Sequence, residues 1–161
     1  MSTSSDLPAL PVPGLEPVIR LDVRVDAPVE AGMTGQGRRR IIPITHGTVD
    51  GPAFCGTVLP GGSDVQRIRP DGVAEVEARY ILETDAGTHV FIENRGVRHA
   101  PPDVMAELVA GRPVDPALVY FRSVPRFETD DESLRWLERD QFVATGARFP
   151  DRVRIDVYRV S

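Results

Sequence analysis

The stretch VAEVEARYILETDAGTHVFIEN, residues 73–94, decides the fold. Its first half alternates strictly between two faces. One face carries Ala74, Val76, Ala78, Tyr80 and Leu82, and the other carries Glu75, Glu77, Arg79, Ile81 and Glu83. A period of two is typical of a β-strand that is buried on one side. The turn Asp85-Ala86-Gly87 then leads into a second apolar run, so the stretch predicts an antiparallel β-hairpin.

The pattern of short strands continues on both sides of this hairpin. Strands are predicted over 18–25, 40–44, 47–59, 66–69, 119–127, 141–148 and 152–160, whereas 28–37 is predicted to be a loop. A helix is predicted over 101–110, because proline can occupy its first turn and Gly111 can end it. A second short helix is predicted within 129–137. No βαβ alternation occurs, which argues against a parallel Rossmann-like sheet.

The predicted fold class is all-β, an antiparallel β-barrel of about nine strands with one or two short helices. A barrel is favoured because closure leaves no exposed sheet edge, and a barrel of about eight strands can hold a small ligand. Residues 1–16 are rich in Ser and Pro and are predicted to be a disordered N-terminal tail. Residues 17–161 are predicted to be a single β-barrel domain, since the chain of 161 residues suits one core.

Charge and hydropathy exclude several classes of partner. The formal net charge of -5 does not favour nucleic acid or an anionic membrane surface. No run approaches the ~20 apolar residues of a membrane span, and the N-terminus does not resemble a signal peptide. The expected location is therefore cytoplasmic. The expected partner is a small-molecule ligand, and the sequence leaves the oligomeric state open, a homo-oligomer included.

The reactive residues narrow the chemistry further. All 19 basic residues other than histidine are arginine, so lysine Schiff-base chemistry is excluded. The single cysteine, Cys55, excludes an internal disulfide and any multi-cysteine metal site, and its apolar surroundings predict a buried, inert thiol. His46, His89 and His99 lack the spacing of a metal motif, so no metal and no cofactor are predicted.

A set of polar residues on the predicted strands forms the candidate site. Glu77 and Arg79 share a strand face, Asn94 is the only asparagine, and Arg122 and Glu128 lie on or beside a later strand. These residues could face outward in cross-strand ion pairs that contribute little. Alternatively, some could face the barrel interior, where buried charges are paired and retained for binding or proton transfer. Periodicity alone leaves both alternatives open.

The chain resembles a known family, the domain of unknown function 3237. The likeness lies in GRRRIIPITHGTVDG (37–51), GTVLPGGSD (56–64) and DGV (71–73), and it continues through ARY (78–80), NRG (94–96), YFR (120–122), PRFE (125–128), WL (136–137) and VY (157–158). It covers nearly the whole chain after residue 16, with the motifs in order. The histidine of His46-Gly47 replaces the glycine usual in the family and adds a group that can titrate near neutral pH.

The resemblance implies a calycin-like β-barrel with a central cavity. Members are bacterial and fungal, and some are linked to ring closure of polyketide-like natural products by addition of a hydroxyl group, without a cofactor. The family's polar motif positions correspond to Arg40, Asp64, Glu77, Arg79, Asn94, Tyr120, Arg122 and Glu128.

These observations support three hypotheses of function. The first is a cofactor-independent enzyme that cyclises, isomerises or adds to a small oxygenated, partly aromatic molecule by proton transfer. Its catalytic candidates are Asp64, Glu77, Tyr120 and His46, and its substrate-binding candidates are Arg40, Arg79, Asn94, Arg122 and Glu128. The second hypothesis is a non-catalytic small-molecule binding protein. The third is a structural dimer without a ligand.

Overall fold

A computed structural model describes residues 8–161 as one antiparallel sheet with two short helices. The strands are β1 (Leu15–Val25), β2 (Val29–Thr34), β3 (Gly37–Asp50), β4 (Gly56–Val58), β5 (Ser63–Ile68), β6 (Ala74–Thr84), β7 (His89–His99), β8 (Tyr120–Thr129), β9 (Gln141–Arg148) and β10 (Arg152–Val160). The helices are α1 (Pro102–Val109) and α2 (Trp136–Arg139), with single 3-10 turns at Pro116–Leu118 and Glu132–Leu134.

The sheet closes into a barrel because β3 pairs with β1. Going round the wall, β1 is followed by β10, β9, β8, β7 and β6, and then by β4 and β5, which pair with β3 along successive parts of its length. The wall therefore has eight positions, one of which is filled by two short strands in succession. The prediction of an antiparallel β-barrel is confirmed.

The predicted loop at 28–37 is wrong, because β2 lies there and pairs with the first half of β3. Its side chains are mostly exposed, and even Val29 and Met33 bury little of their apolar surface. Backbone hydrogen bonds to a long neighbouring strand hold β2, and such pairing leaves no hydrophobic period in the sequence. The predicted hairpin of β6 and β7 is confirmed, with Tyr80 opposite Ile92.

The hydrophobic core of the barrel is one cluster of buried side chains. Leu21, Leu82 and Ile92 have no measurable exposure and belong to this cluster. Phe127 and Phe142 contact each other edge to face, with ring centroids 5.2 Å apart. Leu137 of α2 is 1% exposed and belongs to the same cluster, so this helix completes the core.

Helix α1 agrees with its prediction, since Pro102 occupies its first turn and Gly111 follows its end. Gly111 has a φ of 73°, the left-handed conformation in which glycine commonly ends a helix. Val104 and Leu108 pack against the barrel core. Within residues 8–161, no helix is both long and apolar enough to cross a membrane.

The N-terminal segment and Cys55 differ from what the sequence predicted. Strand β1 begins at Leu15, inside the predicted tail, and Gly14 exchanges backbone hydrogen bonds with Ser161. Residues 8–14 lie outside the strands, and the first seven residues of the tail lie outside the described part of the chain. The prediction that Cys55 is buried is wrong. Its side chain is exposed beside Asp50, because its neighbours form an irregular segment between β3 and β4.

Candidate functional site

One half of the barrel interior encloses a cavity of about 90 Å³. That volume exceeds what one water molecule needs and falls short of the roughly 150 Å³ cavity that is known to accept benzene. The exposed loop at 26–28, the half-buried Phe149 and the exposed Pro150 complete its wall, so its mouth lies between these two segments. The apolar part of the wall comprises Val23, Val25, Ile42, Ile44, Val76, Ala78, Phe121, Val153 and Ile155.

A chain of hydrogen bonds joins three polar side chains at this cavity. Arg40 donates from Nε and Nη2 to Oε1 of Gln66, at 3.0 and 2.8 Å. Gln66 donates from Nε2 to Oδ2 of Asp64 at 2.6 Å. A guanidinium group can only donate and a carboxylate accepts, so the two partners fix the orientation of the Gln66 amide. Gln66 therefore links a buried cation to a carboxylate.

Asp64 is the carboxyl group of this cavity. Strand alternation places Asp64 and Gln66 on the inward face of β5, while the Glu77 backbone N–H of β6 donates to Asp64 Oδ1 at 3.1 Å. Burial raises the pKa of the Asp64 carboxyl above its ordinary value. The hydrogen bond from Gln66 and the positive charge of Arg98 act in the opposite direction without overcoming it. Asp64 is thus a carboxyl group held at the cavity wall by two hydrogen bonds, with a raised pKa.

Two more arginines, on β7 and β9, line the cavity. Arg98 is only 1% exposed, and burial together with the charge of Arg148 lowers its pKa to about 10. Burial and the charge of Arg40 lower the pKa of Arg148 as well. An arginine guanidinium stays protonated at neutral pH, so three positive charges lie at or beside the cavity, against Asp64 inside it and Asp26 at its exposed mouth.

Tyr80 and Asn94 also belong to the polar lining, and Asp26 lies at the mouth. Burial and the nearby charge of Asp64 raise the pKa of Tyr80 far above neutral, so its phenol stays a hydrogen-bond donor. Asn94 Oδ1 and Arg98 Nε are buried without a hydrogen-bond partner in the described part of the chain. Buried polar groups are nearly always paired, so unpaired ones at a cavity need an explanation.

Of the nine residues predicted for the site, the structure brings three together. Asp64 and Asn94 line the cavity, and Arg40 is connected to it through Gln66. The remaining six side chains lie on the outer surface of the barrel, at Glu77, Arg79, Tyr120, Arg122, Glu128 and His46.

Glu77 and Arg79 belong to a ring of ion pairs on the outside of β6 and β7. Arg79 contacts Glu77 at 2.5 Å and Glu93 at 2.8 Å, and Arg95 contacts the same two carboxylates at 3.3 and 3.0 Å. The Arg79 side chain is 52% exposed. The expectation that these two side chains face the cavity is therefore wrong, because Val76 and Tyr80 occupy the inward face of the same strand.

The residues predicted on β8 and β3 also point outward. Tyr120 is 47% exposed and stacks on His99 with ring centroids 4.9 Å apart, and the Arg122 guanidinium lies over the Tyr120 ring at 5.2 Å. Phe121 takes the inward position between them. Glu128 lies at an outer cleft, and His46 is exposed, with Nδ1 3.0 Å from the Thr45 hydroxyl. The strand pleat sends them away from the cavity.

Sequence reasoning missed five polar residues that line the cavity, Asp26, Gln66, Tyr80, Arg98 and Arg148. A signal for Arg98 was present, because it lies in phase with Val90, Ile92 and Asn94 along β7, all of which are buried. An arginine in phase with the apolar residues of a strand is unusual and indicates an inward charge. In residues 8–161, no group of three or more His, Cys, Asp or Glu side chains could hold a metal ion.

Fold and site together define an antiparallel β-barrel with a cationic internal cavity. The family model described as "Protein of unknown function (DUF3237)" matches residues 13–160, and the chain belongs to that family. The resemblance inferred from the motifs is confirmed.

Similar proteins come from bacteria and a fungus. A UPF0311 protein of Bradyrhizobium diazoefficiens is 51% identical over 143 residues, which cover 89% of this chain and 93% of that protein. The crystal structure of a conserved protein of unknown function from Rhodopseudomonas palustris is 43% identical and matches with a TM-score of 0.90, covering 94% of this chain and 100% of that one.

A structure described as an enzyme from Penicillium herquei matches with a TM-score of 0.71 at 18% identity, covering 96% of this chain and 100% of that one. At this identity the likeness shows the fold alone.

Proposed function

We propose that this protein is a cofactor-independent enzyme that moves a proton on a small oxygenated, partly aromatic molecule held in the barrel cavity. Asp64 carries the proposal, as a cavity carboxyl group whose pKa is raised by burial. A general acid or base is most effective when its pKa approaches the working pH, and burial brings a carboxyl group toward it. Perturbed groups in cavities are concentrated at functional sites.

The proposed step begins with proton abstraction by Asp64. Its carboxylate takes a proton from an atom beside a substrate carbonyl group, so the carboxyl becomes neutral and the negative charge moves to the substrate oxygen. The positive charge of the surrounding arginines stabilises that enolate or phenolate, and Tyr80 can donate a hydrogen bond to it. Return of the proton to another atom completes an isomerisation. In a cyclisation, Asp64 instead takes the proton of a substrate hydroxyl group while that oxygen adds to a carbon–carbon double bond conjugated with the carbonyl group. The electron pair of the double bond moves to the carbonyl oxygen as an enolate, and the proton then returns from Asp64 to the carbon beside the carbonyl group.

Gln66 is a positioning residue in this scheme. Its amide holds Oδ2 of Asp64 at 2.6 Å while Arg40 holds the other end of the amide. The second lone pair of each Asp64 oxygen remains for the substrate. The present cavity of about 90 Å³ suits the oxygenated end of the molecule. A ring would lie toward Phe149 and Pro28 at the mouth.

Two considerations bear on the choice between catalysis and simple binding. The Penicillium herquei protein described as an enzyme has the same fold, which makes an enzyme on this barrel reasonable. The unpaired Asn94 and Arg98 would serve a non-catalytic carrier equally well. Asp64 favours the enzyme, because a carrier needs apolar lining and orienting donors but no carboxyl group of raised pKa.

The test is carbon–hydrogen exchange. The protein is incubated in D2O with hydroxyacetone, acetylacetone and pyruvate in turn, and loss of the proton signals beside each carbonyl is followed by NMR. We expect at least one compound to exchange faster with protein than in buffer at the same pH. Asp64→Asn should lower the rate by a factor of about 10² to 10⁴, the usual contribution of a general base.

The matched control is Asp85→Asn, the same substitution in an exposed turn. It should exchange like the wild type. Exchange that survives Asp64→Asn would refute the role of Asp64. Binding of these compounds without exchange in any protein sample would instead favour the carrier.

A further inference from the structure

We propose that the ligand of this cavity carries a carboxylate group and that the Arg98 guanidinium binds it. This inference rests on the proposed function only in using the same cavity, and it names the substrate class. The observations that carry it are the burial of Arg98, its missing partner and the charges around it.

The first observation is that Arg98 is buried without compensation. It is 1% exposed, and its Nε–H has no hydrogen-bond partner in the described chain. Its guanidinium lies over the Phe121 ring at 5.5 Å, which offsets only part of the loss of water. Buried charges are normally paired, and an isolated one is costly. A ligand anion would supply the pairing.

The second observation is that the described part of the protein, residues 8–161, does not supply that anion itself. Asp64 is the one carboxylate among residues 8–161 whose charge acts favourably on Arg98, and both of its oxygens already accept hydrogen bonds. Arg148 lines the same cavity, and no carboxylate of the described residues offsets its charge. Glu30 lies 3.8 Å from Arg40, on the β2 side, and Asp26 is exposed at the mouth. Positive charge therefore remains in excess inside.

The third observation is chemical fit. A guanidinium presents a planar fork of N–H groups that matches the two oxygens of a carboxylate. Asn94, on the same face of β7 four residues earlier, offers an unpaired amide oxygen that can accept a hydrogen bond from a second polar group of the ligand. The cavity of about 90 Å³ is small, which favours a short carboxylic acid or the carboxylate end of a longer one. A carbonyl group beside that carboxylate would then come within reach of Asp64.

The test compares acetate with acetamide, which have nearly the same shape and differ in charge. Each is titrated into the full chain at constant ionic strength, and binding is measured by calorimetry and by the rise in melting temperature. We expect saturable binding of acetate and none of acetamide at the same concentrations. Arg98→Met should weaken acetate binding at least tenfold. Arg79→Met, the same substitution on the outer wall, should leave it within twofold of the wild type.

Three outcomes would overturn the inference: equal binding of acetate and acetamide, acetate binding by Arg98→Met within twofold of the wild type, or equal losses in the two arginine variants. If Arg98→Met does not fold, Arg98→Lys keeps the charge without the planar fork. It should bind acetate at least fivefold more weakly, and unchanged binding would overturn the proposal.

Asp64→Asn separates this inference from the proposed function. It should still bind acetate while losing proton exchange. If the wild-type protein catalyses proton exchange in neutral hydroxyacetone but does not bind acetate, the proposed carboxylate ligand is refuted and the proposed enzyme stands. Acetate binding without proton exchange in any compound would refute the proposed enzyme and leave the carboxylate-binding site standing.

Discussion

Gln66→Leu is the most informative single perturbation of the molecule. Gln66 is 1% exposed and bonds two charged groups, Arg40 and Asp64, through three hydrogen bonds of 2.6 to 3.0 Å. Leucine has a similar volume but can neither donate nor accept. The substitution would leave the guanidinium of Arg40, itself 7% exposed, and the Asp64 carboxylate without their shared partner.

The expected loss follows from these contacts. A hydrogen bond to a charged group contributes about 1.5–3 kcal/mol, so losing one connection on each side of Gln66 removes roughly 3–6 kcal/mol. The added apolar surface of leucine offsets about 1–2 kcal/mol of this loss. The free energy of unfolding should therefore fall by about 2–4 kcal/mol. Water in the adjacent cavity can take up part of the bonding, which favours the lower end of this range.

Urea denaturation at neutral pH measures the effect, with Gln36→Leu as the matched control. Gln36 is exposed in the β2–β3 turn, where it accepts one hydrogen bond from Arg67 at 3.0 Å. Its substitution should change the free energy of unfolding by no more than about 0.5 kcal/mol. If both variants lose the same small amount with unchanged m-values, the Arg40–Gln66–Asp64 chain contributes nothing and our account of it is wrong.

Two further predictions concern the charges inside and outside the wall. Because the pKa of Asp64 is raised, the folded state holds its proton at pH values where the unfolded chain has released it, so this group lowers stability as pH rises from about 3.9 through the raised pKa. Asp64→Asn should remove that loss, and a stability difference between variant and wild type that stays constant from pH 4 to about pH 8 would contradict the shift. Arg79→Ala should cost less than about 1 kcal/mol in denaturant melts, because its ion pairs are exposed, and should leave acetate binding unchanged. A loss above about 2 kcal/mol would show that the outer ion-pair ring supports the barrel.

Most of the architecture was predictable because one face of each long strand is apolar. The alternation around Val76, Tyr80 and Leu82 predicted strand β6 and the residues on each of its two faces correctly, and proline and glycine predicted α1. Strand β2 was not predictable in this way, because backbone pairing to β3 holds it and its side chains stay in solvent. Such pairing depends on a neighbour distant from the local sequence pattern.

The site was harder to predict because a barrel strand offers two faces to a polar residue. We expected motif residues such as Arg79 and Arg122 to face the cavity, but the apolar residues between them take the inward positions. Arg98 and Asn94 face inward instead, because they are in phase with the buried Val90 and Ile92. To distinguish inward from outward polar residues, one therefore needs to know which face of each strand is buried. The contribution of Arg148 required the full topology, because β9 and β5 are not neighbours in the wall.

The pairing of β1 with β10 has a consequence for how the chain folds. Arg20 bonds to Asp156 in two places, at 2.7 and 2.9 Å, across a separation of 136 residues. Strand β1 pairs with β10 on one side and with β3 on the other. During synthesis, β1 can therefore hydrogen-bond only to β3 until β10 has emerged from the ribosome. Contacts of such long range slow folding and expose unpaired edges in the meantime. Until β10 pairs with it, β1 keeps one edge without a partner strand, and an unpaired edge is the feature of an incomplete barrel that favours aggregation.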